Sequence, residues 1–188
     1  YSCIFLMPYY LIQGKGFTPA QAGLILAAQP VIMAIIAPIS GTLSDRIGTR
    51  IPAVFGMVIL SAGLYLLSRL SAQSSIQTMM LSLAVVGLGT GAFISPNNSA
   101  LMGSAPKSRQ GIAAGILATS RNFGMVLGVG IAGAIFTTVL GHAGSITSSI
   151  NPGQSPAIFN ALQVSFLAVS LITLLGVITS MVRVVNNS

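Results

Sequence analysis

Long apolar runs separated by short polar connections set the plan of this chain. A helix needs about 20 mainly apolar residues to cross a bilayer. Six runs are candidates: residues 1–12, 18–42, 50–70, 75–103, 108–140 and 156–185. The first is too short to cross. It begins in mid-run at Tyr1, with no initiator methionine and no signal peptide, so the chain reads as part of a longer protein. The last three exceed the minimum and are expected to tilt or to project beyond the bilayer. The second has a well-marked start, with Thr18 as N-cap, Pro19 at the first helical position and Gln21 completing a capping box. Connections fall at 13–17, 43–49, 71–74, 104–107 and 141–155. The last is rich in Gly, Ser, Asn and Pro, which marks an exposed loop. None is long enough to be a separate domain. The expected fold class is an all-α membrane protein.

Composition supports this plan. Hydrophobic residues make up 53% of the 188 and charged residues 5%, with a mean hydropathy of +0.90. A soluble domain carries about 25% charged residues, so lipid should be the solvent for most of this surface. The 21 glycines and 9 prolines fit membrane helices, where both are frequent. The net charge is +7, but a nucleic-acid binder would gather its charge into a patch or stripe. Here Lys15, Arg46, Arg50, Arg69, Lys107, Arg109, Arg121 and Arg183 are spread between apolar runs, so no nucleic-acid partner is expected. Cys3 and His142 are each the sole residue of their type, which rules out an internal disulfide and argues against a protein-built metal site or other cofactor. Catalysis needs acids, bases or nucleophiles in a pocket. One acid and one histidine, both in connections, do not make an enzyme. The run Gly87-x-Gly89-x-Gly91 is no nucleotide loop, since no lysine follows it and no strand precedes it.

The one acid stands in Gly-Thr-Leu-Ser-Asp-Arg-Ile-Gly-Thr-Arg, residues 41–50. Gly41 lets the end of one helix approach its neighbour. Gly48 permits a turn that a side chain would resist. Asp45 comes shortly before the third run, where a helix N-terminus favours an anion. Arg46 and Arg50 hold the loop at the membrane face. A generic polar hairpin would explain a loop here, but not the whole pattern. The sequence Gly-x-Leu-Ser-Asp-Arg-x-Gly-x-Arg resembles the loop signature of the major facilitator superfamily of transporters. Gly41, Leu43, Ser44, Asp45, Arg46, Gly48 and Arg50 fill its diagnostic positions. Residues 38–48 look like the second-half copy of that motif. Residues 109–115, Arg121-Asn-Phe-Gly, Gly128 and Gln21-Ala-Gly-Leu before Gln29-Pro30 are similar to the fourteen-helix drug:proton antiporter branch.

The resemblance spans nearly the whole chain. It implies that residues 1–188 form the C-terminal six-helix half of such a transporter, a 3+3 inverted repeat. The first and fourth helices would line the central cavity, and the third and sixth would lie outside. The second and fifth would face an N-terminal half that this chain lacks. Orientation follows from the basic residues, which are enriched in cytoplasmic loops. Arg46, Arg50, Lys107, Arg109 and Arg183 flank one side, Lys15 and Arg69 the other. That asymmetry puts the 41–50 loop and the C-terminus in the cytoplasm, in a bacterial inner membrane.

Several polar residues fall inside the apolar runs. Arg121 lies eleven residues into a fifth helix starting near Gln110, about 16 Å along its axis. A guanidinium at that depth costs several kcal/mol unless it is solvated or paired, which makes it a functional candidate. Alternatively the helix protrudes and Arg121 snorkels to headgroups. Asn97, Asn98, Asn122, helix carbonyls, water or an acid in the other half are its candidate partners. Gln29 is near mid-membrane before Pro30, with Pro38 beyond, and either faces the path or bonds a neighbour in a kinked helix. Asn97 and Asn98 follow Pro96 and either touch substrate or join helices. Tyr9, Tyr10, Met79, Met80 and Phe93 offer an apolar wall for lipophilic substrates, or plain packing. Gly111, Gly115, Gly124, Gly128, Gly130 and Gly133 on the fifth run, and Gly87, Gly89 and Gly91 on the fourth, form small faces for close helix contact. The patterns at Asn97 and Asn186 match glycosylation sites but fall on the wrong side of the membrane.

These features favour a secondary transporter exporting lipophilic small molecules by alternating access, with proton coupling. The coupling acid would then lie in the other half, because this chain offers no intramembrane carboxylate. Import of a small polar nutrient and a non-transporting membrane subunit are the alternatives.

Overall fold

The computed structural model describes the backbone of residues 1–142 and 156–185, and the side chains of all of these except residue 156 and those beyond 177. Helix α1 is Ser2–Pro8, and it runs on as a π-helical turn over Tyr9–Gly14. There the Lys15 N–H bonds the Tyr10 carbonyl, five residues back, at 3.0 Å. The remaining helices are α2 (Pro19–Leu26), α3 (Ala28–Ile47), α4 (Arg50–Ser68), α5 (Ile76–Gly103), α6 (Gln110–His142) and α7 (Pro156–Val185). A 3-10 turn at Lys107–Arg109 precedes α6. No strand occurs among the described residues.

Five stretches are long and apolar enough to cross a membrane, the first of them running through α2 and α3. The first run is too short, as its sequence indicates. The capping box at Thr18 forms: the Gln21 N–H donates to Thr18 Oγ1 at 3.3 Å and the Thr18 N–H to Gln21 Oε1 at 3.1 Å. The bonding of the second run is interrupted at Ala27, because Pro30 has no N–H to give the Leu26 carbonyl, while Ala27 itself keeps helical angles. The run differs from expectation in continuing to Ile47 rather than ending at residue 42. The expected loop at 141–155 lies, from residue 143, outside the described residues, as does Asn186.

Helix α5 is central. Its Gly-x-Gly-x-Gly run places Gly87 and Gly91, four residues apart, on one face and Gly89 on the other. A Cβ on Gly87 would strike the Gln29 carbonyl, and one on Gly91 would come within 3.0 Å of the Met33 carbonyl, both on α3. A Cβ on Gly89 would strike the Leu60 backbone of α4. Helix α4 answers with Gly56 and Gly63, where a Cβ would come within 2.6 Å of the Phe93 nitrogen and 2.8 Å of the Val86 nitrogen. Backbones thus meet on both sides of α5. Helix α7 covers the other face of α4. There Ser170 Oγ donates to the Ser61 carbonyl at 2.9 Å, and Ser61 Oγ is 3.1 Å from the Ser170 carbonyl.

The apolar core gathers toward one end, where Leu6, Met7, Tyr10, Leu67, Met79, Leu83, Leu162 and Phe166 are buried. This is the end of the 69–75 connection, called below the Ser71 end. The opposite end, with Gly48 and Ser104, is loosely packed. From Gln110 to Ile131 no residue of α6 is buried.

Candidate functional site

At the Gly48 end α3 carries Leu43, Asp45 and Arg46 within its last turns. The expected connection of residues 43–49 is therefore reduced to Gly48 and Thr49. Asp45 sits not in a loop ahead of α4 but in the final turn of α3, where helix carbonyls oppose an anion and favour Arg46. Its carboxylate is exposed and has no side-chain partner among the described residues. Arg46 and Arg50 are also exposed. The turn itself depends on Gly48, at φ 87°, the left-handed region that glycine enters at little cost. Behind it, α3 is pinned to α5. Ser40 Oγ donates to the Ala92 carbonyl at 2.8 Å, and a Cβ on Gly41 would come within 2.9 Å of Ser95 Oγ. The hairpin is thus fixed on its inner side, while its charged side is open.

Arg121 and Asn98 are brought together across α5 and α6. Arg121 Nη2 donates to Asn98 Oδ1 at 3.3 Å. Asn98 is five residues from the end of α5, about 8 Å at the helical rise. The guanidinium therefore reaches a level much nearer the Gly48 end than its position in α6 alone suggests, because the first turns of α6 project past α5. This is the one side-chain hydrogen bond between α5 and α6 among the described residues, since Ser95 lies against Gly41 of α3 and Thr119 bonds the Gly115 carbonyl of its own helix. Asn97 is exposed and makes no side-chain hydrogen bond among the described residues.

Gln29 is half-buried just past the break at Ala27, level with Gly87 near the middle of α5. Its side-chain amide bonds no neighbour among the described residues. Tyr9 is 37% exposed and meets Phe136 edge-on, with ring centroids 5.1 Å apart. Tyr10 does not belong on an open wall. It is 1% exposed, packed edge-on against Phe159, and its hydroxyl donates to the Ser71 carbonyl at 2.8 Å. Met79 is likewise buried, whereas Met80 is exposed. The glycines of α6 divide: Gly111, Gly115, Gly124 and Gly130 face open space, while Gly128 and Gly133 approach Ser2 and Phe5.

Sequence reasoning missed a clamp at the Ser71 end. Besides Tyr10, Lys15 Nζ donates to the carbonyls of Ala72 and Ser74 at 2.6 and 2.9 Å. Gln163 Nε2 donates to the Leu70 carbonyl at 2.8 Å. Three side chains, from the π-helical turn with its cap and from α7, thus hold one short connection by its backbone oxygens. The one sequence signal was a lysine at the end of a run, which reads equally well as a flank charge.

Among the described residues no three His, Cys, Asp or Glu side chains lie together to hold a metal. What the arrangement offers is hydrogen bonding and one fixed cation along apolar helices. A family model described as Major Facilitator Superfamily matches residues 1–187. The chain belongs to the major facilitator superfamily. Members of this superfamily are multi-pass membrane transporters rather than enzymes.

Individual superfamily members are similar over most of the chain. The riboflavin transporter RibZ of Clostridioides difficile is 37% identical over 136 residues, 72% of this chain and 30% of its own length. The multidrug resistance protein Stp of Mycobacterium tuberculosis is 29% identical over 140 residues, 74% of this chain and 26% of its length. The tetracenomycin C resistance and export protein of Streptomyces glaucescens is 26% identical over 167 residues, 86% of this chain and 31% of its length. The chain spans under a third of the length of these curated relatives.

Proposed function

We propose that the chain is the C-terminal six-helix half of a secondary active transporter that exports lipophilic small molecules in exchange for protons. Two bundles rock about a central site in this scheme. The observation that carries it is the unequal burial of the helices. In the stretches Pro19–Ile47 and Lys107–His142, 11% of the most apolar residues are buried, against 39% in the other three. The sparsely covered helices are the two that the superfamily resemblance assigns to the interface with an N-terminal half. Drug-resistance and export proteins among the relatives support the exporter reading.

The Gly48 end faces the cytoplasm on this reading, with Asp45, Arg46 and Arg50 contacting the N-terminal half as a latch. The coupling acid belongs to that half. Everted membrane vesicles containing the full-length protein should accumulate ethidium when energised and release it on addition of a protonophore. Accumulation no greater than in vesicles lacking the protein would refute proton-driven export.

A nutrient is the second reading. Its support is the riboflavin transporter, at 37% identity against 29% and 26% for the resistance proteins. Radiolabelled riboflavin uptake by intact cells, with and without the protein, separates the two.

A further inference from the structure

An arginine stays charged at any physiological pH and carries five N–H donors in a planar fork. One of them is used within this chain, by Asn98 Oδ1. The Arg121 side chain is exposed, which leaves the other donors open, and a guanidinium set in lipid without a counter-ion costs several kcal/mol. The chain's one carboxylate, Asp45, does not pair with it.

The direction in which Arg121 points argues against the surrounding lipid. Met125, Gly128, Ala132 and Phe136 follow at spacings that keep one helix face. That face packs inward: Ala132 and Phe136 are buried, and Ser2 Oγ donates to the Gly128 carbonyl at 2.9 Å. Ile112, Ile116 and Phe123 project from the opposite side and are exposed. Arg121 therefore continues the inward face beyond the start of α1. Ala114, Leu117 and Ala118 precede it on that side, and the two alanines leave room on one flank of the guanidinium.

We propose that Arg121, oriented by Asn98, is an oxyanion-binding site that takes a carboxylate, phosphate or sulfonate carried on an apolar molecule. The guanidinium fork matches two oxygens of such a group, and the flanking helices suit its apolar body. On the transport reading above, that molecule is the transported solute. Substrates would then include amphiphilic anions as well as neutral lipophiles.

The test uses the purified full-length protein in maltoside micelles without added phospholipid. Phenylglyoxal modifies accessible, unpaired arginines, and mass spectrometry follows Arg121. The probes are 2-naphthoate and its neutral counterpart 2-naphthamide, with phosphatidylglycerol added in a separate arm. Naphthoate should protect Arg121 at about tenfold lower concentration than naphthamide, the worth of one charge-assisted hydrogen bond. Asn98→Ala should shrink that difference by loosening the guanidinium. Protection by naphthoate assigns the oxyanion to a solute, and protection by phosphatidylglycerol alone assigns it to a lipid headgroup. Either supports the site. Equal protection by the two naphthyl probes, with none by phosphatidylglycerol, overturns it. So does an Arg121 that resists phenylglyoxal in the untreated protein, since a carboxylate elsewhere in the polypeptide would already hold it. Labelling reads binding and not transport, so a protein that exports nothing would leave the result standing.

Discussion

Tyr10 donates its hydroxyl hydrogen to the carbonyl of Ser71 at 2.8 Å, tying the π-helical turn after α1 to the connection between α4 and α5. Tyr10→Phe keeps the ring against Phe159 and removes only this bond. The expected loss is about 1 kcal/mol, typical of a hydrogen bond between membrane helices. Lys15→Met removes two bonds to the same connection and should cost more. Unfolding of the purified protein in a titration with sodium dodecyl sulfate reads both. Midpoints equal to wild type would show that the clamp contributes nothing.

The glycines separate into two classes with opposite expected responses. Gly89→Ala places a methyl group against the Leu60 backbone, and backbone cannot move aside as a side chain can. Destabilisation of about 3 kcal/mol or more is expected, at or above the usual range for overpacking. Gly124→Ala in α6 meets nothing among the described residues and improves helix propensity by about 1 kcal/mol. If the full-length protein tolerates Gly89→Ala, the close packing of α4 on α5 is incorrect. Failure of Gly124→Ala in the full-length protein alone would locate a contact with the rest of the polypeptide.

Asp45→Ala should leave membrane insertion and folding intact, because the carboxylate has no partner among the described residues and occupies an unfavourable helix end. Transport by the full-length protein should fall strongly if the charged side of the hairpin is a latch. Expression measured beside efflux decides the matter, and full activity at normal expression would remove Asp45 from the mechanism.

Pro30→Ala restores the N–H that the Leu26 carbonyl lacks and removes a helix-breaking residue worth about 3 kcal/mol. The break at Ala27 should close and Gln29 should turn away from its present direction. Helix content by circular dichroism is expected to hold or rise while transport drops several-fold. A variant with undiminished transport would mean that the break has no functional role.

The apolar runs made most of the fold legible in advance, since length and composition suffice to mark a membrane helix. Pro156–Val185 has the predicted bounds, and the Thr18 capping box forms with both of its bonds. The signature at 41–50 was readable as residue types, but not as geometry. Ser-Asp-Arg looks like a loop on polarity, yet the helical bonds of α3 carry through it and only Gly48 breaks them. Tyr10 shows a different limit. A tyrosine near a helix end has the same appearance whether its hydroxyl meets solvent, substrate or a buried carbonyl, and the choice rests on a residue 61 positions away. Arg121 could be singled out for its charge, but its level in the bundle depends on how far α6 projects past α5, which no local pattern records.

The alternating glycines of α5 also constrain how this protein can change shape. At these glycines backbone is seated on backbone toward α3 and toward α4, so little side chain lies at those points to slide, repack or absorb a displacement. The three are keyed together like teeth in a lock. Any shift that opens or closes a passage must carry them as a single block, so the compliance of the structure belongs to its ends: the proline break before α3, the π-helical turn after α1 and the thinly covered length of α6.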